Sequence, residues 1–169
     1  IKSTTFCVMA GLLMTPISLK AQESSASYKV LASQKAGLNL STVRNLIKKG
    51  DDLAKQDNLD AARKEFDDAR NVTKQLLGFY RDINGAFRGI DARIPREMDS
   101  KGREATVLLA KANLRLAALF RRQNKPEIAV PLLVESLKIM TPARAEGQKA
   151  YQSLLDLGFV ETPYAGPRN

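Results

Sequence analysis

Apolar residues recur along this chain at steps of three and four, the spacing of one face of an α-helix, and nowhere sustain the alternation of a strand. From Ser41, read as an N-cap, Val43, Leu46, Ile47, Leu53 and Ala54 form the first such face, with Gly50 as a point of close packing. After Gln56-Asp57-Asn58 a longer pattern runs through Leu59, Ala62, Phe66, Ala69, Leu76, Leu77, Tyr80 and Ile83. Two Gly and a Pro within residues 84–95 break it and mark the principal connection. Pro95 suits the first turn of a third helix carrying Met98, Ala105, Leu109, Ala112, Leu116, Leu119 and Phe120. Pro126 opens a fourth, with Ala129, Leu132, Leu133, Leu137 and Met140 inward, and Pro131 is expected to kink it or delay its start. Thr141-Pro142 ends that helix. A short fifth, from about Arg144 to Leu157, has Ala150, Leu154 and Leu157 as its apolar face, and Gly158-Phe159 reads as a Schellman ending with Phe159 folding back.

The expected fold is therefore all-α, in antiparallel helical hairpins or a four-helix bundle with a short C-terminal helix. The helical domain covers residues 41–158. An extended tail, rich in Pro and Gly, follows over 159–169, and a flexible lead-in of Ser, Lys and Gly without sustained period precedes it over 22–40.

Residues 1–21 follow different rules. Lys2, an apolar run from Phe6 to Met14, Pro16 and a small residue at Ala21 have the layout of a secretory signal peptide. The run is too short and interrupted for the ~20 residues a membrane span needs. Cleavage after Ala21 is expected, with an exported product in a periplasm, a thylakoid lumen or the extracellular space. Cys7, the chain's single cysteine, would leave with the signal, so stability would rest on helix packing without disulfides.

Composition narrows the chemistry. The 169 residues contain no His and no second Cys, so Ser-His-Asp triads, Cys-His dyads and Cys/His zinc sites cannot be assembled. A non-catalytic protein without cofactor or metal is expected. With 27 Lys and Arg against 18 Asp and Glu, the formal charge is +9, which suits an acidic protein surface or an anionic membrane. Export disfavours nucleic acid as the partner.

Arginines concentrate where the helices break. Arg81, Arg88, Arg93 and Arg96 surround the Gly/Pro connection, with Lys101 and Arg103 just after, and guanidinium groups bind carboxylates and phosphates in paired geometry. Local neutralisation by Asp82, Asp91, Glu97 and Asp99 is the competing reading. Arg121 and Arg122, with Lys111, Arg115 and Lys125, form a second candidate binding set, against a solvated helix face.

Gly50, Leu53, Ala62, Phe66 and Ala69 are spaced as in a tetratricopeptide repeat, and Ala117, Phe120, Ala129, Leu133 and Ser136 repeat the spacing, with Pro142 near the terminal Pro position. The chain resembles that family over two degenerate units, because the middle repeat would fall near Asn84 and Arg96, in the connection. The resemblance implies paired helices, with small residues at the crossings, and a function in protein binding. The subclass that clamps C-terminal carboxylates is not implied, since Ile47, Asp51, Leu114 and Ala118 stand at the clamp positions. As a bundle the chain is similar to the small extrinsic lumenal subunits of photosystem II, which are exported, helical and basic. Two functions are thus expected: an exported interaction protein, scaffold or assembly factor binding an acidic surface, or a structural extrinsic subunit of a membrane complex.

Overall fold

The computed structural model describes residues 37–166. The proposed signal at 1–21 and most of the lead-in lie outside the described residues. Five helices follow in order: α1 (Leu40–Lys55), α2 (Leu59–Ala86), α3 (Arg93–Arg122), α4 (Pro126–Met140) and α5 (Ala145–Asp156). No strand occurs among the described residues.

The apolar spacing accounts for the core. Val43, Ala62, Phe66, Ala69, Leu116, Ala117, Ala129, Leu133, Ala150 and Leu154 are essentially inaccessible to solvent, drawn from all five helices. Each helix packs on the next, α3 also touches both α1 and α5, and its centre is correspondingly the most buried stretch of the chain. Ion pairs fix the register: Lys49 to Glu65 (2.6 Å) and Arg44 to Glu104 on either side of α1, and Arg70 (2.5 Å) and Lys74 (2.8 Å) to Glu135 between α2 and α4. Burial alone would raise the Glu135 carboxyl, but hydrogen bonds and charge from Lys74 and Arg70 outweigh it and lower its pKa.

Three expectations change at the helix ends. Asn39, not Ser41, caps α1: its Oδ1 accepts from the Thr42 amide (2.8 Å) and from the Ser41 hydroxyl (2.5 Å), so the helix begins inside the segment read as lead-in. Pro131 does not delay α4, which runs unbroken from Pro126. A proline in its second turn removes a single bond to the carbonyl four residues back, and the side chain faces solvent. At the end of α5 the Schellman pair is present, Phe159 N–H to Leu154 O (3.0 Å) and Gly158 N–H to Leu155 O (2.9 Å), with Gly158 at φ 68. Phe159 itself stays exposed, however, and Val160 packs on the core instead. The tail then returns along α5: the Tyr151 hydroxyl donates to Thr162 O (2.5 Å) and the rings of Tyr151 and Tyr164 meet edge to face.

The core contains one polar anomaly. Asn113, in the middle of α3, is fully buried, and neither its amide nitrogen nor its oxygen has a hydrogen-bond partner. An orphaned buried polar group costs about 1–3 kcal/mol. Asn113→Leu keeps the branch at Cγ and removes both polar atoms, so it should raise stability by about 1 kcal/mol or more in urea melts. A loss of stability would mean that the amide is satisfied in solution.

Candidate functional site

The two central helices are much longer than their neighbours. α2 has 28 residues and α3 has 30, against 16 in α1 and 15 in α4. Gly50 of α1 lies against Phe66 of α2, and the two helices run antiparallel, so the start of α1 falls beside Leu76. At its other end α4 stops where Ile139 and Met140 border Arg103, Thr106 and Val107. Beyond these levels, α2 and α3 have only each other as helical neighbours among the described residues. About ten residues of each helix project, roughly 15 Å at 1.5 Å per residue.

This overhang carries the central arginines. Asn84 ties it together, its Nδ2 donating to Asp99 Oδ1 (2.6 Å) and to Pro95 O (3.3 Å) across the hairpin. Around that tie lies a cleft of about 480 Å³, open to solvent and lined by Tyr80, Arg81, Asn84, Arg88, Asp99 and Arg103, with Leu77, Met98, Gly102 and Thr106 supplying the rest of its wall. Burial raises the Tyr80 pKa, and the positive charge of Lys101 only partly offsets this, so the phenol keeps its proton. The acidic residues that could have neutralised the arginines are partly committed elsewhere. Asp91 takes Arg93, Glu97 takes Lys101 (2.6 Å), and Asp99 accepts from Asn84. Arg81, Arg88 and Arg103 form no ion pair with any described residue, and the same holds for Arg96, which is exposed on the first turns of α3.

Arg93 has another task. Its Nη2 donates to Asp91 Oδ2 (2.6 Å), its Nε to Asp91 Oδ1 (3.1 Å), and its backbone N–H to the same Oδ1 (2.9 Å). The Arg93 side-chain and backbone donors hold the Asp91 carboxyl below its usual range, and Asp91 in turn raises the guanidinium. This is an Asx turn that starts α3.

Arg121 and Arg122 sit at the opposite end of α3, ~42 Å from Arg93 along the helix. Both face acids within the fold. Arg122 donates to Asp57 Oδ1 (2.8 Å) and Ala54 O (3.1 Å), closing the α1–α2 turn, and Arg121 lies 3.6 Å from Asp156 at the end of α5. Arg115 similarly holds Asp51 (2.7 Å). The structure thus brings Arg81 and Arg88 together with Arg103, leaves Arg96 alone on the surface, and separates Arg121 and Arg122 from them.

No family model, curated protein or solved structure matches this chain. Among the described residues no three His, Cys, Asp or Glu side chains are grouped to hold a metal ion. The guanidinium groups that line the cleft can take a carboxylate in bidentate fashion, with the Tyr80 phenol as a further donor. Tyr80 and Asn84 were missed as cleft residues. Tyr80 reads in sequence as an ordinary apolar-face position, and Asn84 as a loop residue, because nothing local announces that the helix runs on to Ala86.

Ile83 was expected to face inward and is 40% exposed. Its position continues the α2 apolar stripe past the point where α1 ends, so no described helix covers it.

Proposed function

We propose that this is an exported, non-catalytic interaction protein, a scaffold or assembly factor, that binds an acidic protein surface through the projecting end of the α2–α3 hairpin. The observation that carries the proposal is the cleft that Arg81, Arg88 and Arg103 line together, where Asp99 is the one acidic residue of the lining and none of the three forms an ion pair with it. An arginine that is fastened within the fold contributes to stability, whereas three that line one open cleft are available to carboxylates from outside. The repeat-like reading is part of this proposal. It is supported by Gly50, Ala62, Ala69, Ala117 and Ala129, the small residues at the proposed crossings, all of which are buried, and by the contact of α3 with both alternate helices, α1 and α5. A bundle remains the other description of the same packing.

A glutamate-rich peptide immobilised on resin tests the cleft. Wild-type protein should be retained at low salt and released as salt rises, because exposed charges are screened over ~10 Å at 0.1 M. Arg81→Gln/Arg88→Gln/Arg103→Gln should elute at markedly lower salt with an unchanged helical spectrum, since exposed unpaired charges contribute little to folding. Equal retention of the two proteins overturns the assignment.

The second reading, an extrinsic subunit of a membrane complex, is favoured by one observation: large apolar side chains stand exposed on the same projecting end.

A further inference from the structure

Four large apolar residues at the overhang are uncovered: Phe79 (47% exposed), Ile83 (40%), Phe87 (37%) and Ile90 (78%). Exposed single hydrophobes are ordinary, but these follow one another at steps of four, four and three, which places the first three along one side of α2 and its cap and the last in the turn beyond. Phe87 closes α2 as its C-cap, and Gly89, at φ 81, turns the chain so that Ile90 stands at the very end of the hairpin. The stripe begins where α1 stops. None of the four lines the arginine cleft or the neighbouring cleft at Arg103, Thr106 and Arg144.

The charges around the stripe have a definite sign. Asp91 is occupied by Arg93 and Glu97 by Lys101, leaving Asp82 and Asp99 against Arg81, Arg88, Arg96 and Arg103 at this end of the molecule. Arg88 lies between Phe87 and Ile90 in the turn itself. Long arginine stems lie along apolar surface while their heads stay in a polar layer, which suits a boundary between acyl chains and anionic head groups.

We infer that the end of the α2–α3 hairpin is a membrane-contact site, which seats Phe87 and Ile90 in the interface of an anionic bilayer with Arg88 and Arg96 on the head groups. A folded protein partner would have to provide a pocket for each projecting side chain. A bilayer accepts convex apolar groups without preformed complementarity, and its anionic lipids attract unpaired arginines held close to the surface. The inference stands on residues other than those that carry the cleft, apart from Arg88, and either can fail without the other.

The test uses the full chain and phosphatidylcholine vesicles with or without a phosphatidylglycerol fraction. Flotation should recover wild-type protein on the anionic vesicles, and Phe87→Ser/Ile90→Ser should lower the partition coefficient about tenfold or more. Both side chains are solvent-exposed, so the variant should keep its helical spectrum and melting temperature. The chain has no Trp, so Ile90→Trp introduces a single reporter. Its emission should shift to the blue, and brominated lipid should quench it, on anionic vesicles only. Equal recovery of wild type and Phe87→Ser/Ile90→Ser would overturn the inference, and would assign any binding to another part of the chain. Recovery without a blue shift would also overturn it, leaving electrostatic adsorption. A concentration-dependent dimer that Phe87→Ser/Ile90→Ser abolishes, seen by sedimentation, would overturn it in favour of a second copy as the occupant.

Discussion

Phe66→Ala should destabilise this protein by about 3–5 kcal/mol, enough to remove much of the stability of a domain of this size. Phe66 is the largest side chain that is fully buried, and its ring rests on the bare backbone of Gly50. A methyl group at Gly50 would lie 2.4 Å from Cε1 of the ring, so the α1–α2 crossing is as close as it is because one helix has no side chain there. Truncation removes the ring and leaves a cavity that two helices, pinned by Lys49–Glu65 and Arg44–Glu104, can collapse only in part. The converse substitution checks the geometry. Gly50→Ala should cost about 1–3 kcal/mol by overpacking against the ring, despite the better helix propensity of Ala. In the double variant Gly50→Ala/Phe66→Ala the new methyl enters the space the ring has left, so the two costs should not add. Denaturant melts of the four proteins measure this coupling. Strict additivity would mean that the ring and the glycine do not meet.

The all-α class and the five helices were legible because the spacing of apolar residues is a local property of each helix. Met98, Ala105, Leu109, Ala112, Leu116, Leu119 and Phe120 all prove buried on α3, as their period of three and four requires. Periodicity does not say how far along a helix its partner reaches. The stripe of α2 continues from Leu76 to Ile83 without a change of pattern, yet burial stops where α1 stops, and α1's extent relative to α2 depends on a register set by Gly50 and Phe66. The same limit applies to the arginines. In sequence, Arg93 and Arg122 both read as candidate binding residues, with neutralisation by a nearby acid the competing reading for the first and a solvated helix face for the second; in the structure Arg93 is held by Asp91. Arg122 is held as well, by Asp57, which is 65 residues away in the chain and adjacent in space. Arg81 and Arg103 line one cleft for the corresponding reason, that a hairpin folds α2 back upon α3. Residues that act together in this molecule are brought together by its turns, and a local window sees only one side of each.

Gly147→Ala should be the most damaging single methyl added to the chain. An added Cβ would lie 1.8 Å from the Thr141 carbonyl oxygen and 2.6 Å from its carbon, with Pro142 N at 3.3 Å. At Gly50 the obstacle is a side chain that can rotate, whereas here it is backbone. That backbone has little freedom: Thr141 closes α4 at φ 54 and ψ 157, a conformation that costs a β-branched residue of order 1–3 kcal/mol, and Pro142 fixes the next step. Neither side of the contact can yield, so α5 must move, and Ala150 and Leu154 must leave the core with it. The expected loss is about 3 kcal/mol, at the upper end of overpacking costs. The sign decides the matter, because helix propensity alone predicts that Gly→Ala inside α5 stabilises by about 1 kcal/mol. The loss should also be local. Amide exchange in residues 145–156 should accelerate strongly while the α2–α3 core stays protected, since detaching one terminal helix leaves the packing of α1 to α4 intact. A variant that melts higher than wild type, with α5 equally protected, would refute the close approach of α5 to the Thr141 carbonyl.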